Sequence, residues 1–368
     1  MKHIMATRNE NPTPWIATHP GTILKYELEE REISQKDFAV MIEMQKSHLN
    51  ELIKGKRPMT PAIADKIEAV LGISSVSLVN LQNQYEYDLR QIEARGIEEQ
   101  AALDTLRLYD DLLCVKTLVK RWGLENKSAV EKLAYFVEKA KLPQPAALKH
   151  EVAGLFKKSS KTGLDTRSLI TWKVLAETSA MQISVDNKFD ANQKDILVSE
   201  LVQTLHHNTD TLNSVRNILN RYGIVFCIEK KVEKASVDGY SFIKNGTPYI
   251  VLTKRFDRID NLAFALMHEV GHIFLHYVDG NSQFHLSIQD YDNESALEHE
   301  ANDFAANALI NNTQWKNAPK VRVNAYAIQR SYTKWAAENG YNKWIVLGRI
   351  AYETGMYKFH VDESRKIA

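Results

Sequence analysis

"FALMHEVGHIFLHY", residues 264–277, sets His268, Glu269 and His272 into a run that is otherwise apolar. On a helix the two histidines lie one turn apart on one face, so both imidazoles reach a single ion. Glu269 is offset from His268 by about 100°, close enough to hold a water without itself ligating. Leu266 and Met267 before the motif, and Ile273 and Phe274 after it, bury the helix. A dry setting strengthens the electrostatics of a metal. Two solvated histidines on a surface helix would not need such neighbours. The stretch therefore predicts a buried helix that holds zinc.

A catalytic zinc site needs a third protein ligand. A histidine six residues after His272 is excluded, because position 278 is Val. His276 shares the face but lies two turns from His268, which suits a supporting role better than ligation. The remaining candidates are Glu298, His299 and Glu300 on the helical pattern at 295–310, "SALEHEANDFAANALI". Glu298 stacks under the apolar stripe that includes Ala301 and Ala305, whereas Glu300 falls in line with Asp303 and Asn307. A carboxylate turned toward a core needs a cation. Glu298 is the expected ligand, with Glu300 as the alternative.

Upstream, "IVFCIEK" and "TPYIVLTK" read as strands, with the glycine-bearing "VDGYSF" between them. "DGYSF" (238–242) is expected to offer a free sheet edge on which an extended peptide pairs. Residues 97–222 read as helices broken at "KLPQPAA" (141–147) and "KKSSKTGLDTRS" (157–168), with hinges expected at Pro143–Pro145 and Gly163.

At 368 residues the chain exceeds one ordinary core, and its composition is that of a globular protein. Cys114 and Cys227 are the only cysteines, which excludes a thiolate zinc finger and suits a reducing compartment. The first residues lack a signal-peptide h-region, and no apolar run is long enough to span a bilayer. The expectation is a cytoplasmic protein with no membrane segment. A net charge of +1 makes no global basic field, so any nucleic-acid contact must be local.

Residues 22–91 supply a local candidate. Five short helical patterns follow one another, with Ile23, Leu24 and Leu28 on the first and Phe38, Ala39 and Ile42 on the second. The second and third, joined by the "EMQ" turn, have helix-turn-helix proportions. Gln45, Lys46, Ser47, His48 and Asn50 place polar side chains where base edges would be read. Lys54, Lys56 and Arg57 gather at the far end, where phosphates would lie. Residues 20–57 hold seven basic and seven acidic side chains, the acids crowding "ELEERE" and the bases the third helix. That separation favours DNA over a uniformly solvated surface.

The wording of this segment resembles the HigA-type antitoxins of the Xre/Cro helix-turn-helix superfamily. "HPG", "SQKDFA", "LIKGKRPMTPAIA" and "LVNLQNQYE" carry the resemblance over about 75 residues. It implies a homodimeric repressor on operator DNA and a cognate toxin as partner. A second resemblance, to the ImmA/IrrE zinc metallopeptidases, rests on "GIVFCIEK", "TPYIVLTK", H-E-x-G-H with a following His, and "LEHEANDFAANALI". "WIVLGRIAYETG" is similar to that family's tail. This resemblance implies His268, His272 and Glu298 as zinc ligands, with Glu269 as catalytic base. Where the family often continues Leu-Met-Pro, this chain has "LINNTQW".

The expected fold is mainly α with a small α+β part. Residues 1–17 form an arm, 18–95 a five-helix DNA-binding domain, 96–195 a helical middle region, and 196–368 a zincin-like peptidase domain with a small sheet. The expected function is a transcriptional regulator or antitoxin whose Zn²⁺-dependent peptidase domain cleaves a regulatory protein or peptide. In the alternative, that domain senses a ligand or binds the toxin without proteolysis. Tyr240, His276 and His299 are the candidates to stabilise an oxyanion.

Overall fold

Five helices occupy residues 20–110, and their boundaries follow from capping chemistry. The computed structural model describes residues 16–149, 165–253, 257–277, 285–288 and 296–368. His19 caps α1 (Pro20–Glu30): its Nδ1 accepts the Gly21 N–H at 2.9 Å, and Pro20 takes the first helical position. Ser34 caps α2 (Gln35–Met41), accepting the Asp37 N–H at 3.1 Å and donating to the Asp37 carboxylate at 2.6 Å. A tight turn, with Glu43 at φ 49°, leads into α3 (Lys46–Ile53). Thr60 and Pro61 open α4 (Pro61–Leu71), and Gly72 ends it in the left-handed conformation. α5 runs from Ser75 to Asp110.

Leu24, Leu28, Phe38, Ala39 and Ile42 meet Leu49 and Leu52 in one core, as their spacing predicted, whereas Ile23 beside them is only partly buried. α1 and α3 touch backbone to backbone: a Cβ at Gly21 would lie 2.0 Å from the Leu52 carbonyl oxygen. The buried His19 ring packs edge-on against Tyr85 of α5, and Gln82 of α5 accepts the Met59 N–H at 2.9 Å. "HPG" is therefore a packing device that fixes α3 against the bundle.

The chain divides into two units. One holds the residues up to Asp104 with Ser128–Val130; the other holds Thr105–Lys127 and Glu131 onward. Most of the described helical residues between Thr105 and the sheet, beginning with α6 (Val115–Arg121) and α7 (Ala129–Ala134), fall in the second unit. Within that second unit, the Tyr109 hydroxyl donates to the Pro143 carbonyl at 2.9 Å, pinning the first expected hinge. Gly163, the second, lies outside the described residues.

The second unit is built around a four-stranded sheet in the order β1-β3-β2-β4. β1 (Val225–Glu229) runs parallel to β3 (Thr247–Thr253), and β2 (Val237–Lys244) is antiparallel to β3. Asn245 and Gly246 both take positive φ in the two-residue turn between β2 and β3. β4 (His285–Ile288), from the segment between the H-E-x-x-H run and the helical pattern at 295–310, pairs antiparallel with β2. The expected free edge at 238–242 is therefore corrected. Pairing on both sides uses the outward backbone groups of β2, and β1 and β4 form the sheet's edges.

Alternation along β2 decides which side chains reach which layer. Tyr240 faces α8 (Thr166–Ala180), its ring 6.5 Å from that of Trp172. Gly239 and Ser241 face the H-E-x-x-H helix, α11 (Ile259–His272). α9 (Lys194–His207), α10 (Thr211–Arg221), α12 (Ala296–Leu309), α13 (Ala325–Glu338) and α14 (Lys343–Thr354) contribute side chains to the same core. The architecture is mainly helical with one small sheet, as expected. No helix among the described residues is long and apolar enough to cross a membrane.

The His19 cap gives the first unit a pH dependence. Burial holds the imidazole below its ordinary pKa, against the pull of hydrogen bonds that the Arg57 backbone and the Gln82 side chain accept from it. The Nδ1 lone pair is also the cap acceptor, so protonation removes the cap. The unfolded chain then binds more protons, and stability is lost as pH falls below the ordinary histidine value of about 6.5. Hydrogen exchange of α1 and α3 amides, corrected for intrinsic rates, should show more opening at pH 5 than at pH 7. His19→Asn, which keeps a cap acceptor, should flatten this dependence, and His19→Ala should cost about 1 kcal/mol at pH 7.

Candidate functional site

Gly271 lets α11 approach α12 closely. A Cβ there would meet Phe304 Cδ1 at 3.0 Å and the Ala301 Cα at 3.3 Å. The approach brings His268 and His272 of α11 to Glu298 of α12. Their Nε2 atoms are 2.9 Å apart, and the Glu298 carboxylate oxygens lie 3.2 Å from His268 and 3.6 Å from His272. These three residues form a group whose ligand-type atoms lie within 4.8 Å of one another.

The neighbours of the cluster set its tautomers. The Asn302 amide oxygen, an acceptor only, lies 2.9 Å from His268 Nδ1, so that nitrogen carries the proton and Nε2 offers a lone pair. The Glu300 carboxylate lies 3.2 Å from His276 Nε2, which must therefore donate. In neutral His276 the lone pair is then on Nδ1, 2.9 Å from His272 Nδ1. His272 donates to it and turns its own Nε2 lone pair toward Glu298. Two imidazole lone pairs and a carboxylate thus converge in a buried place, a donor set that fits a cation such as zinc. The same field acts on protons: burial lowers the pKa of His268, but Glu298, Glu269 and Asn302 outweigh it and hold it above the ordinary value.

Glu300, the alternative ligand, is occupied with His276, and its side chain is 59% exposed against 22% for Glu298. Glu269 stands outside the cluster and is fully buried. Its Oε2 accepts the Ser241 hydroxyl at 2.6 Å. A Cβ on Gly239 would lie 2.3 Å from its Oε1, so a glycine is what leaves room for the carboxylate.

His268, Glu269 and Glu298 open on a cleft of about 740 Å³. Of the three oxyanion candidates, only His299 lines it. Tyr240 is on the opposite sheet face with its hydroxyl donating to Glu177 at 2.7 Å, and His276 is held by His272 and Glu300. Sequence reasoning missed Ser241, Gly239 and Asn302. Period-two alternation through "DGYS" was the available signal for the first two, and a side chain one turn beyond Glu298 the signal for the third. It also missed Asp260 at the start of α11, bonded to Arg258 and to Arg365 from the chain's last residues. Burial would raise its carboxyl pKa, but the two guanidinium groups hold it below the ordinary value.

In the first unit, Gln45, Lys46 and Ser47 stand exposed at the start of α3, and His48 and Asn50 are partly exposed one turn on. Gln45 makes no capping bond with its side chain. Lys54 and Lys56 are exposed at the other end. Arg57 is partly exposed and bonds to the Glu51 carboxylate at 3.1 Å, which spends some of its charge within the protein.

Comparison with known proteins agrees with both halves. Residues 24–78 match the helix-turn-helix family, and residues 219–340 match the M78 peptidase family, described as an IrrE N-terminal-like domain. Over 72 residues the chain is 36% identical to the uncharacterized HTH-type transcriptional regulator YddM of Escherichia coli K12, covering 19% of this chain and 77% of that one. Two solved structures are similar to part of it. One, from Nostoc punctiforme, is described as an antidote protein of a plasmid maintenance system; it is 24% identical, with 23% of this chain and 94% of that chain covered and a TM-score of 0.23. The other is an addiction module antidote protein of a HigA family from Coxiella burnetii, 22% identical, with 23% and 94% covered and a TM-score of 0.22. The chain belongs to the helix-turn-helix transcriptional regulators of Xre type and carries an IrrE/ImmA-like M78 peptidase domain behind its DNA-binding helices.

Proposed function

We propose that the chain is a cytoplasmic repressor that binds operator DNA as a homodimer and hydrolyses a peptide bond in a regulatory protein with its C-terminal domain. The observation that carries the peptidase reading is the convergence of two imidazole lone pairs and the Glu298 carboxylate beside a buried Glu269, on a cleft. His268, His272 and Glu298 are the residues that would hold zinc. When bound, the ion would supply Lewis acidity toward a carbonyl and a water. Glu269 takes the proton at Oε1, while Ser241 fixes Oε2 and thereby the direction of the carboxylate. Asn302 and the Glu300–His276 pair hold the imidazoles in the tautomers that ligation needs. The wording that residues 19–88 share with HigA-type antitoxins supports an antitoxin role with a cognate toxin as partner, and residues 18–95 and 196–368 are the proposed working domains.

On the DNA side, Gln45, Lys46, Ser47, His48 and Asn50 read base edges, and Lys54, Lys56 and Arg57 hold phosphates.

Purified protein should hold about one zinc ion per chain. His268→Ala and His272→Ala should lose it, and Glu298→Ala should lower zinc affinity more than Glu300→Ala. Equal zinc content in the two glutamate variants would remove the ligand assignment. Glu269→Gln should retain zinc and slow hydrolysis on the order of 10²–10⁴-fold.

Gly239→Ala pushes a methyl group into the Glu269 carboxylate. It should retain zinc yet lose at least about tenfold in kcat. Unchanged turnover with an intact fold would mean that Glu269 does not act where the cleft holds it.

For DNA, Lys54→Ala and Lys56→Ala should weaken binding to all sequences alike and reduce the salt slope by about one each. Gln45→Ala should change sequence preference instead. The lack of any footprint upstream of the chain's own gene, even at low salt, would remove the repressor reading.

A further inference from the structure

Residues 311–361, which follow α12, hold eight lysines and arginines against two acids, in a chain whose net charge is only +1. Both acids are matched within the fold. Glu353 accepts from Trp315 and Arg349 and pairs with Arg322, and Glu338 pairs with Lys334. Just beyond the stretch, Asp362 is bonded to Lys343 and Glu363 to Lys366. Lys316, Lys320, Arg330 and Lys358 are exposed, and among the described residues their side chains make no hydrogen bond or ion pair. The surplus of positive charge is therefore left to solvent.

Packing gathers these charges on one surface. α13 turns Ile328, Tyr332, Trp335 and Ala336 into the core, which leaves Tyr326 and Arg330 outside, one turn apart. The Gln329 side chain and the His360 backbone exchange two hydrogen bonds, of 2.6 and 2.9 Å, and these lay Tyr357 and Lys358 beside that helix. On the other side, Tyr332 donates to the Pro319 carbonyl, and Arg322 pairs with Glu353 at 3.7 Å. Those two contacts hold the segment that carries Lys320 against α13 and α14.

Large aromatic side chains stand among the cations. Tyr326 and Tyr352 are each 75% exposed, and Tyr357 is 59% exposed. Exposed rings beside unpaired cations are the two parts a single-stranded nucleic acid requires: faces on which unstacked bases lie, and charges on which phosphates rest. A duplex keeps its bases stacked on one another and would use the cations alone. An acidic peptide would do the same and leave the ring faces wet. Tyr352 and Tyr357 also line the metal cleft, but so does Asp303, exposed and without an ion pair among the described residues. That carboxylate repels phosphate, so the strand is kept on the α13 side.

We infer that the outer face of α13, with the segment before it and the residues that follow α14, binds single-stranded nucleic acid. Tyr326 and Tyr357 stack bases, and Lys320, Arg330 and Lys358 hold phosphates. The site is distinct from α3 of the first unit and from the metal cluster, and it depends on neither reading.

The test is fluorescence anisotropy on the full-length chain carrying Lys54→Ala and Lys56→Ala, which weaken phosphate contacts in the first unit. The labelled probes are an oligothymidylate and an oligouridylate of about twelve nucleotides, a mixed-sequence duplex of that length, and an oligoglutamate of equal charge. At least one single strand should bind at least about tenfold more tightly than the duplex and the oligoglutamate. Its affinity should fall with salt at a log–log slope of about −0.7 for each phosphate held, so roughly −2 for three cations. Lys320→Ala, Arg330→Ala and Lys358→Ala should each make that slope shallower by about 0.7. Tyr326→Ala, at an exposed position, should weaken binding at least about fivefold, and Tyr326→Phe, which keeps the ring, should not. A preference between the two strands identifies DNA or RNA as the source and supports the site. Absent binding of both strands, a duplex that binds as tightly, or an affinity that Tyr326→Ala leaves unchanged overturns it. Oligoglutamate binding as tight as that of the strands also overturns it, and gives the surface to an acidic protein.

Discussion

The peptidase-like half depends on one close approach, that of α11 to α12 at Gly271. A methyl group there would press on Phe304 and on the Ala301 backbone and push the helices apart. The cluster tolerates little such movement, because its histidine–histidine and histidine–carboxylate distances are already 2.9–3.6 Å. Two small residues, Gly271 and Ala301, thus set the spacing at which one helix can lend a carboxylate to the histidines of another. The polar residues that orient the imidazoles, Asn302 and Glu300, come from the same stretch of α12. Ligand and supporting groups therefore move as one rigid piece.

A second constraint acts from the sheet. Glu269 is fully buried, and β2 meets it with a glycine and a serine. The glycine gives space and the serine gives a hydrogen bond, so the carboxylate is confined in both position and direction. Burying a carboxylate is costly unless its oxygens are bonded. The Ser241 contact offsets part of that cost.

The DNA-reading unit follows the same logic with other parts. Gly21 lets α1 rest on the Leu52 carbonyl, and His19 closes the start of α1 while its ring reaches Tyr85 on α5. α3 is held from behind by backbone contact and apolar packing, so its polar side chains need play no structural part. Arg57 departs from this pattern, since its bond to Glu51 gives it a role within the bundle.

What the sequence determined by itself was local. Capping residues and apolar spacing marked the five N-terminal helices, because each signal lies within a turn or two of the boundary it sets. His268 and His272 were legible as a pair for the same reason, one helix placing both. Glu298 was legible as a carboxylate on the inward side of its helix, although its approach to those histidines required a second helix. Tertiary structure alone decided the rest. The "DGYSF" strand loses its free edge because residues 285–288, a short alternation that names no partner, pair beside it. Tyr240 is turned away from the cleft, and Ser241 into contact with Glu269, by the alternation of a strand whose layers are unknown until the helices are placed. The tautomers of the cluster depend on Asn302, His276 and Glu300, and the match of Asp260 with Arg365 spans 105 residues. Hydrogen bonds between residues so far apart leave no periodic trace in a sequence, since their geometry exists only once the core has packed.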